Sequence, residues 1–390
     1  MVMTRREFVE LSSSAVLGAS AAASGRTAGA KFRACVIGDS RQGGYGHNMH
    51  LVWALREDVQ VVGLADPDET GRAKHAREAD AQRTYADYRE MLDKEKPDLL
   101  AIGPRWSVHH PEYLEAAAVY GAHGLMEKPI AVDLAAADAM VQTIEARNLK
   151  WAIGFNFRAN ALIQHVKRTV FEQDLIGDIL ELRGRGKEDR RAGGEDLIVL
   201  GTHIFDMMRF FLGDPKWCIA DITVDGRPAT RSDIREATEP VGPVLGDRIH
   251  AVYGFRDGIV GHFASTSNRD GNGGRWGLDI FGSKGIVTIR LDRRFDICLL
   301  RDPAWAPGGK DLRWQPLPDA PAVEIRRPEL ENYLPIVDDL IAAIGEDRRP
   351  KTSLQDGRDS LEMIQAVHEA YLNGGRAVMP LKQRDHPLYR

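Results

Sequence analysis

Residues 32–66 read FRACVIGDSRQGGYGHNMHLVWALREDVQVVGLAD, and this stretch decides the fold of the first half of the chain. It contains a short apolar strand, a glycine-rich turn, a helical segment and a second apolar strand that ends at Asp66. This order is typical of a βαβ unit that binds a dinucleotide, because glycines let the backbone approach a pyrophosphate and the helix N-terminus stabilises its charge. The stretch therefore predicts the start of a Rossmann sheet.

The glycine pattern of the turn departs from the usual dinucleotide fingerprint. Gly38-x-Ser40-x-x-Gly43 has a serine where the middle glycine normally permits the closest approach to the pyrophosphate. An ordinary turn between a strand and a helix is the alternative interpretation. Asp66 at the tip of the second strand favours the cofactor interpretation, because a carboxylate there accepts hydrogen bonds from ribose hydroxyls. It also repels a 2′-phosphate, so NAD is favoured and NADP is the alternative.

Strand-like and helical segments continue to alternate up to WAIGF at residues 151–155. This alternation predicts a doubly wound parallel sheet with helices on both faces, and we assign it to an N-terminal Rossmann domain of residues 31–153. Ligands bind beyond the carboxyl ends of such strands. Pro104 and Glu127-Lys128 fall at strand ends of this kind, beside the glycine-rich turn.

The composition favours action on small molecules. The 390 residues carry a net charge of −5, with no basic field that would attract nucleic acid. The three cysteines are too few and too scattered for a disulfide framework or a zinc site, and neither HExxH nor a CxxC pair occurs. The sequence therefore predicts no metal site.

Residues 1–30 differ from the rest of the chain, because they are built mainly from Ala, Ser and Gly. Thr4–Val9 is similar to a twin-arginine export motif, and a weakly apolar stretch with Ala-x-Ala options follows it. That stretch is too short for a stable membrane anchor. The signal implies recognition by the twin-arginine export machinery and a periplasmic or other extracytoplasmic location; a disordered N-terminus with a chance Arg-Arg pair is the alternative.

The run GGEDLIVLGTHIFD at residues 193–206 carries a candidate catalytic histidine. Read as one helix, it places Asp196, His203 and Asp206 near one line at helical spacing, and Val199 interrupts that line. His203 is either a packed core residue or an acid/base group, since imidazole titrates near neutral pH.

These motifs together resemble the Gfo/Idh/MocA oxidoreductases. The resemblance covers the chain beyond its N-terminal segment and is carried by the glycine-rich turn, Asp66, Pro104 followed by His110, Glu127-Lys128-Pro129 and Gly201-Thr202-His203-x-x-Asp206. It implies a C-terminal α/β domain, residues 154–390, whose large, mostly antiparallel sheet covers the nicotinamide, and a homo-oligomer (dimer or tetramer). The β-rich runs from Trp217 onward agree with this expectation.

The resemblance also implies roles for individual residues. Lys128 corresponds to the lysine that hydrogen-bonds the reacting hydroxyl, and His203 to the acid/base histidine. Many members have an aspartate four residues before this histidine, where the present chain has Val199. Asp196 either replaces that aspartate as a catalytic partner or, with Glu195, only caps the helix.

The candidate cofactor-binding residues are Gly38, Ser40, Gly43, Asp66, Pro104, His110, Glu127 and Lys128. The resemblance also places the basic stretch at residues 183–191 beside the substrate. There it would hold sugar hydroxyls or a carboxylate, and a solvated loop is the alternative.

Three functions agree with these features. The leading hypothesis is an exported NAD(P)-dependent oxidoreductase that acts on a sugar, a sugar derivative or a cyclitol. Because no soluble nicotinamide pool exists outside the cytoplasm, its cofactor is expected to be bound tightly. The same constraint supports a redox-neutral lyase, epimerase or glycosidase that oxidises its substrate transiently. A non-catalytic sugar-binding protein is the third hypothesis, and Val199 is its only argument.

Overall fold

Two large β-sheets organise the part of the chain that the computed structural model describes, which is residues 31–267, 274–291, 296–306, 308, 312–321 and 332–390. The export signal predicted at residues 1–30 lies outside the described residues. None of the described helices combines the length and the apolar character that crossing a bilayer requires.

The strands of the first sheet are β1 Phe32–Ile37, β2 Val59–Ala65, β3 Arg83–Tyr85, β4 Leu99–Ile102, β5 His123–Met126 and β6 Trp151–Ile153. They are all parallel and lie in the order β3-β2-β1-β4-β5-β6. The direction of strand addition reverses between β1 and β4, which is where doubly wound sheets bind their ligands. The Rossmann sheet predicted from the sequence is therefore confirmed.

The helices beside this sheet are α1 Glu69–Glu78, α2 Tyr88–Glu95, α3 His110–Val119 and α4 Leu134–Ala146, with a 3₁₀ helix at Met49–Leu55. Aspartates fix three of their starts, because Asp68, Asp87 and Asp133 each accept a backbone N–H of the first turn. α3 begins instead with a proline in its first turn, where a missing N–H costs nothing.

The helical segment predicted after the glycine-rich turn is a short 3₁₀ helix that begins only at Met49. Residues 38–48 form a loop that is closed by a bridge between Asp39 and Gly44, and only the short 3₁₀ helix follows it. Gly43, Gly44 and Gly46 all have positive φ angles, which a right-handed helix does not accept. The loop is therefore longer than the dinucleotide fingerprint predicts.

The strands of the second part are β7 Ile179–Arg185, β8 Trp217–Val224, β9 Arg227–Pro228, β10 Arg235–Glu236, β11 Pro243–Val244, β12 Arg248–Gly254, β13 Val260–Thr266, β14 Gly277–Gly282, β15 Gly285–Arg290, β16 Asp296–Leu300, β17 Gln315–Pro316 and β18 Ala377–Val378. β10 and β11 form a separate pair, and the others form one sheet in the order β17-β16-β15-β14-β7-β13-β12-β8-β18, with β9 beside β8. Only β7 and β13 pair in parallel. The prediction of a mostly antiparallel sheet is confirmed.

The helices of this part are α5 Asn156–Ala159, α6 Ala161–Val166, α7 Gly194–Val199, α8 Gly201–Leu212, α9 Leu334–Gly345 and α10 Leu354–Leu372, with a π helix at Lys167–Glu172. α10 begins at Leu354, because Ser353 and Asp356 form a capping box at its start. α9 packs its apolar side against the first sheet. The domain limits at residues 31–153 and 154–390 therefore stay a prediction.

Candidate active site

A cavity of about 270 Å³ lies where the carboxyl ends of the first sheet meet the second part of the chain. It is lined by His47, Arg105, Lys128, Gly154, Asn156, Phe157, Lys187, Arg191, Val199, Leu200, His203, Glu239, Trp276 and Tyr333. Lysines and arginines outnumber the one acidic residue of this lining, Glu239. The cavity is therefore suited to a ligand rich in oxygen atoms.

Lys128 reaches this cavity from the turn after β5. Its Nζ atom donates a hydrogen bond to the backbone carbonyl of Val199, 2.9 Å away. Burial lowers the pKa of Lys128, and the charge of Glu127 partly opposes this effect. The amine is thus fixed in position and loses its proton more readily than a free lysine, which suits a group that hydrogen-bonds a reacting oxygen.

Glu127 holds two residues of the cavity in place. Its buried carboxylate accepts hydrogen bonds from the His47 backbone N–H (3.1 Å), from His47 Nδ1 (2.8 Å) and from the Tyr333 hydroxyl (3.1 Å). Burial raises the pKa of this carboxyl, but the charge and hydrogen bonds of His47, with the charge of Lys128, keep the pKa below its usual range. The predicted cofactor contact of Glu127 stays a prediction.

His203 lies near the start of α8, in an aromatic pocket that leaves 6% of it exposed. The ring centroids of Phe155, Phe157 and Trp276 are 6.0, 5.0 and 6.1 Å from that of the imidazole. Burial, followed by the positive charge of Lys128, lowers the pKa of His203 well below 6.5. The ring is therefore neutral near neutral pH, and its Nδ1 atom has no hydrogen-bond partner among the described residues.

The helix predicted through residues 193–206 is interrupted, and this changes the role of Asp196. α7 ends at Val199 and α8 begins at Gly201, so Asp196 and His203 lie on different helices. The Asp196 carboxylate accepts the Ser265 hydroxyl (2.6 Å) and the backbone N–H groups of residues 187 and 188 (3.2 and 3.0 Å).

Neither interpretation of Asp196 agrees with this arrangement. The backbone N–H groups that Asp196 accepts belong to residues 187 and 188, which precede α7, so the capping interpretation is wrong. Nor is Asp196 placed as a partner of His203, because no hydrogen bond joins the two side chains, both of which are described. The carboxylate instead holds the loop before α7 against β13, and burial raises its pKa.

Asp196→Ala should destabilise the fold rather than slow the reaction selectively. The substitution leaves a buried hydroxyl and two backbone N–H groups without their acceptor, which should lower the free energy of unfolding by about 1–3 kcal/mol. Urea denaturation measures this loss, and kcat of the folded fraction should change little. A large fall in kcat at unchanged stability would contradict the structural role.

Asp66 is buried at the end of β2, with both carboxylate oxygens occupied. One oxygen accepts the Ser40 hydroxyl (2.6 Å) and the Tyr45 hydroxyl (2.8 Å), and the other accepts the Asp68 backbone N–H (2.9 Å). Gly71 makes room for this contact, because a Cβ there would lie 1.9 Å from Ser40 Oγ. A ribose would have to replace one of these hydroxyls, so the predicted ribose contact stays a prediction.

The glycine-rich loop fits a dinucleotide at the switch point between β1 and β4. Gly38 donates its N–H to Ala65 at 2.9 Å, and a Cβ on Gly38 would overlap the ring of Tyr45. Gly43 has a φ of 86°, and a Cβ there would lie 2.6 Å from the backbone nitrogen of Arg105. Both positions therefore require glycine. Without a Cβ at these positions, the loop backbone can lie close to the strand ends, which is where a pyrophosphate binds.

His110 lies outside the cavity and links two loops. Its Nε2 atom is 2.7 Å from the Pro104 carbonyl, and its Nδ1 atom is 3.2 Å from the Ile130 carbonyl. Burial lowers the pKa of this ring. His110 thus joins the loop after β4 to the turn that carries Lys128, and direct cofactor contacts of Pro104 and His110 stay predictions.

The basic stretch at residues 183–191 is divided between two places. Lys187 and Arg191 line the cavity, where Lys187 Nζ lies 5.6 Å from the ring centroid of Trp276. Arg191 donates one hydrogen bond to the Glu239 carboxylate at 2.9 Å. Arg183, by contrast, lies on β7 over the ring of Phe281. Only the second half of the stretch can therefore contact a ligand in this cavity.

Sequence reasoning missed several residues of the cavity. His47 follows a glycine in the long loop, where no periodicity indicates the direction of a side chain. Trp276 and Tyr333 come from segments without any motif, and only tertiary packing brings them to Lys128 and His203.

Two family models match most of the chain. The NAD-binding Rossmann-fold model of the Gfo/Idh/MocA oxidoreductase family matches residues 32–155. The C-terminal α/β domain model of the same family matches residues 183–379.

Relatives of known activity agree with these matches. Levoglucosan dehydrogenase of Pseudarthrobacter phenanthrenivorans is 26% identical over 61% of this chain and 66% of its own length. D-apiose dehydrogenase of Paraburkholderia graminis is 26% identical over 89% of each chain. A solved structure of levoglucosan dehydrogenase with NADH and L-sorbose shares the fold, with a TM-score of 0.73 and 20% identity over 90% of this chain and all of the other. The chain therefore belongs to the Gfo/Idh/MocA family of NAD-dependent oxidoreductases.

Proposed function

We propose that this protein oxidises a hydroxyl group of a sugar, a sugar derivative or a cyclitol, with tightly bound NAD. The observation that carries this proposal is that the fixed amine of Lys128 and the neutral imidazole of His203 line one cavity. The names of relatives support the substrate class, since they include dehydrogenases of levoglucosan, D-apiose and myo-inositol.

The lining of the cavity agrees with a polyol. The rings of Trp276 and Phe157 offer apolar faces to the C–H groups of a sugar, and Asn156, Lys187 and Arg191 offer hydrogen-bond donors to its hydroxyls. A ligand that combined C–H faces with several oxygens would use both kinds of side chain.

Lys128, His203 and His47 each have a separate task in the proposed reaction. Bound NAD supplies the hydride acceptor. Lys128 Nζ, oriented by the carbonyl of Val199, donates a hydrogen bond to the substrate oxygen and stabilises its developing negative charge. His203 accepts the hydroxyl proton because its ring is neutral. His47 is half exposed and bound to Glu127, so it is placed to pass a proton from the cavity to water.

Both limbs of the pH profile of kcat/KM should lie at lower pH than the ordinary pKa values of histidine and lysine would give. His203 must be neutral to accept a proton, and its pKa lies below 6.5, so activity should persist below pH 6.5 and fall as the pH drops through the lowered pKa. Lys128 must be protonated to donate, and its pKa lies below 10.5, so activity should be lost before pH 10.5. Initial rates measured across this range test both limbs.

The decisive experiment combines cofactor identity with turnover. Mass spectrometry of the compound released by denaturing the purified protein should find NAD, and adding sugars and cyclitols to the native protein should reduce it. A protein that binds no dinucleotide, or whose bound NAD no polyol reduces, would overturn the proposal.

A redox-neutral reaction is the second candidate, and His47 favours it. Oxidation needs one proton acceptor, whereas inversion or elimination next to the new ketone needs a further acid/base group, and His47 lines the same cavity as His203. A redox-neutral enzyme should form product in large excess over NADH without an added oxidant. A dehydrogenase should stop after one turnover per bound cofactor under the same conditions.

Export through the twin-arginine route is also part of the proposal, and it is supported by Thr4–Val9 and by the weakly apolar, small-residue stretch that follows it. Replacing both Arg5 and Arg6 with lysine should leave the precursor in the cytoplasm, because this route requires the arginine pair. Immunoblots of cytoplasmic and periplasmic fractions measure the distribution. Continued export of the double-lysine protein would contradict this route. The homo-oligomer, a dimer or tetramer, stays a prediction that light scattering can test.

A further inference from the structure

Three metal-ligating side chains meet in the first part of the chain, away from the cavity. They are His50 on the 3₁₀ helix and His75 and Glu78 on α1, and one ligand atom of each lies within 4.8 Å of the other two. His75 and Glu78 are three residues apart, so they share one face of α1. The 3₁₀ helix presents His50 to that face, with its Nε2 atom 3.0 Å from a Glu78 carboxylate oxygen.

The orientation of the two rings suits metal binding. His75 Nδ1 lies 2.8 Å from the carbonyl of Gly71, which holds the ring and leaves its Nε2 atom free of that contact. A backbone carbonyl on the second nitrogen is the usual partner of a metal-bound histidine. His50 is buried, and its Nδ1 atom has no hydrogen-bond partner among the described residues. The Glu78 side chain is 42% exposed, so an ion can enter from the solvent.

We propose that His50, His75 and Glu78 bind one divalent ion of the zinc type. Two imidazoles and one carboxylate form a ligand set that zinc uses, with water in the fourth position. Mg²⁺ and Ca²⁺ prefer oxygen ligands, so two nitrogen donors select against them. The hydrogen bond between His50 and Glu78 is exchanged for two bonds to the ion. Lys74 is exposed and 4.0 Å from Glu78, so it can turn away.

The site would act on the cofactor loop through Tyr45. The Tyr45 ring packs against both imidazoles, with centroid distances of 5.1 Å to His50 and 4.0 Å to His75. Its hydroxyl donates to Asp66. An ion would therefore hold the 3₁₀ helix, which follows the glycine-rich loop, against α1, which follows Asp66. It is expected to stabilise the loop, and it does not depend on which substrate the cavity accepts.

Two ligands of this site form a pattern in the sequence, although that pattern is neither an HExxH motif nor a CxxC pair. His75-Ala-Arg-Glu78 has the spacing of two ligands on one helical face. The third ligand, His50, lies on the 3₁₀ helix at Met49–Leu55, and only the fold brings it to this face. The prediction of no metal site rests on local motifs, and such motifs do not report ligands that only the fold brings together.

A zinc titration of the full chain tests the proposal. Chelator-treated protein is titrated with Zn²⁺ against a chromophoric competitor, and Co²⁺ provides visible absorption bands that report its coordination. One Zn²⁺ per chain and a higher melting temperature are expected, with no such effect of Mg²⁺. His75→Ala and Glu78→Gln should each bind Zn²⁺ more than about tenfold more weakly, since even outer-shell partners contribute about 10- to 100-fold.

The controls separate this site from other histidines and from misfolding. His250→Ala removes an exposed histidine of β12 and should leave Zn²⁺ affinity unchanged. Circular dichroism shows whether each variant is folded, and His75 and Glu78 are both accessible enough to be replaced without opening the core. Wild-type protein that binds no Zn²⁺, or a folded His75→Ala variant with unchanged affinity and stoichiometry, would overturn the proposal. Neither result would affect the proposed polyol oxidation, which is measured separately.

Discussion

Replacing Lys128 with methionine should lower kcat/KM for the polyol substrate by about 10²- to 10³-fold, the usual effect of losing a donor to a developing oxyanion. Methionine keeps much of the apolar stem but removes the Nζ atom that Val199 orients. The loss should appear mainly in kcat, because the donor is needed most when the oxygen carries charge. Steady-state kinetics and the rate of reduction of bound NAD both measure it.

Lys167 offers a matched control for this substitution. Its Nζ atom also donates to backbone carbonyls, those of Phe210 and Phe211 at 3.1 and 3.0 Å, and burial also lowers its pKa. Lys167 is not part of the cavity lining. Lys167→Met should therefore lower the free energy of unfolding while kcat/KM stays nearly unchanged. Equal losses of activity in the two variants would contradict a chemical role of Lys128.

The first sheet could be predicted because its signals are local. The apolar runs that form β1 and β2 flank the glycine-rich turn, and aspartates at the starts of helices mark the boundaries. Parallel strands covered on both faces need continuous apolar runs, which are visible without knowledge of their partners. The alternation of strands and helices then predicts a doubly wound sheet, although more than one strand order satisfies it.

The loop after β1 could not be predicted, because its conformation depends on contacts far along the chain. Three glycines with positive φ permit the loop, but the contacts that fix it are the Tyr45 hydroxyl on Asp66 and the His47 ring on Glu127. These contacts bring His47 to the cavity. The dinucleotide fingerprint contains no information about them.

Asp196 illustrates the same difficulty within a helix. Periodicity places it on the line of His203, provided that one helix runs from residue 193 to 206. The helix instead breaks at Leu200, and Ser265 from β13 supplies a hydroxyl donor to the carboxylate. A donor 69 residues away is invisible to a local pattern. The motif residues Lys128 and His203 were found because the family motifs name them, not because periodicity places them together.

Replacing His203 with glutamine should lower kcat by about 10²- to 10⁴-fold, because an amide cannot accept the hydroxyl proton. Glutamine is polar and of similar reach, so the aromatic pocket and the bound cofactor should be retained. His165→Gln is the matched control, since His165 is also buried, at 4% exposure, and its Nε2 atom lies 2.8 Å from the Pro318 carbonyl. That control should lose stability and keep kcat. Similar kcat values for wild type and His203→Gln would make His203 a core residue.

Val199→Asp then tests why the family aspartate is absent. Val199 and His203 line the same cavity, so a carboxylate at position 199 is placed to offer an acceptor to Nδ1 of His203, which has no partner among the described residues. A negative charge within hydrogen-bond reach stabilises the protonated ring, so the acid limb of the pH profile should move up by about 1 to 3 pH units. In the His203→Gln background the same substitution should leave this limb unchanged, which ties the effect to the imidazole. If the limb does not move in the folded, cofactor-loaded single variant, the side chain at position 199 faces the substrate. The valine then shapes the pocket, while its carbonyl continues to orient Lys128.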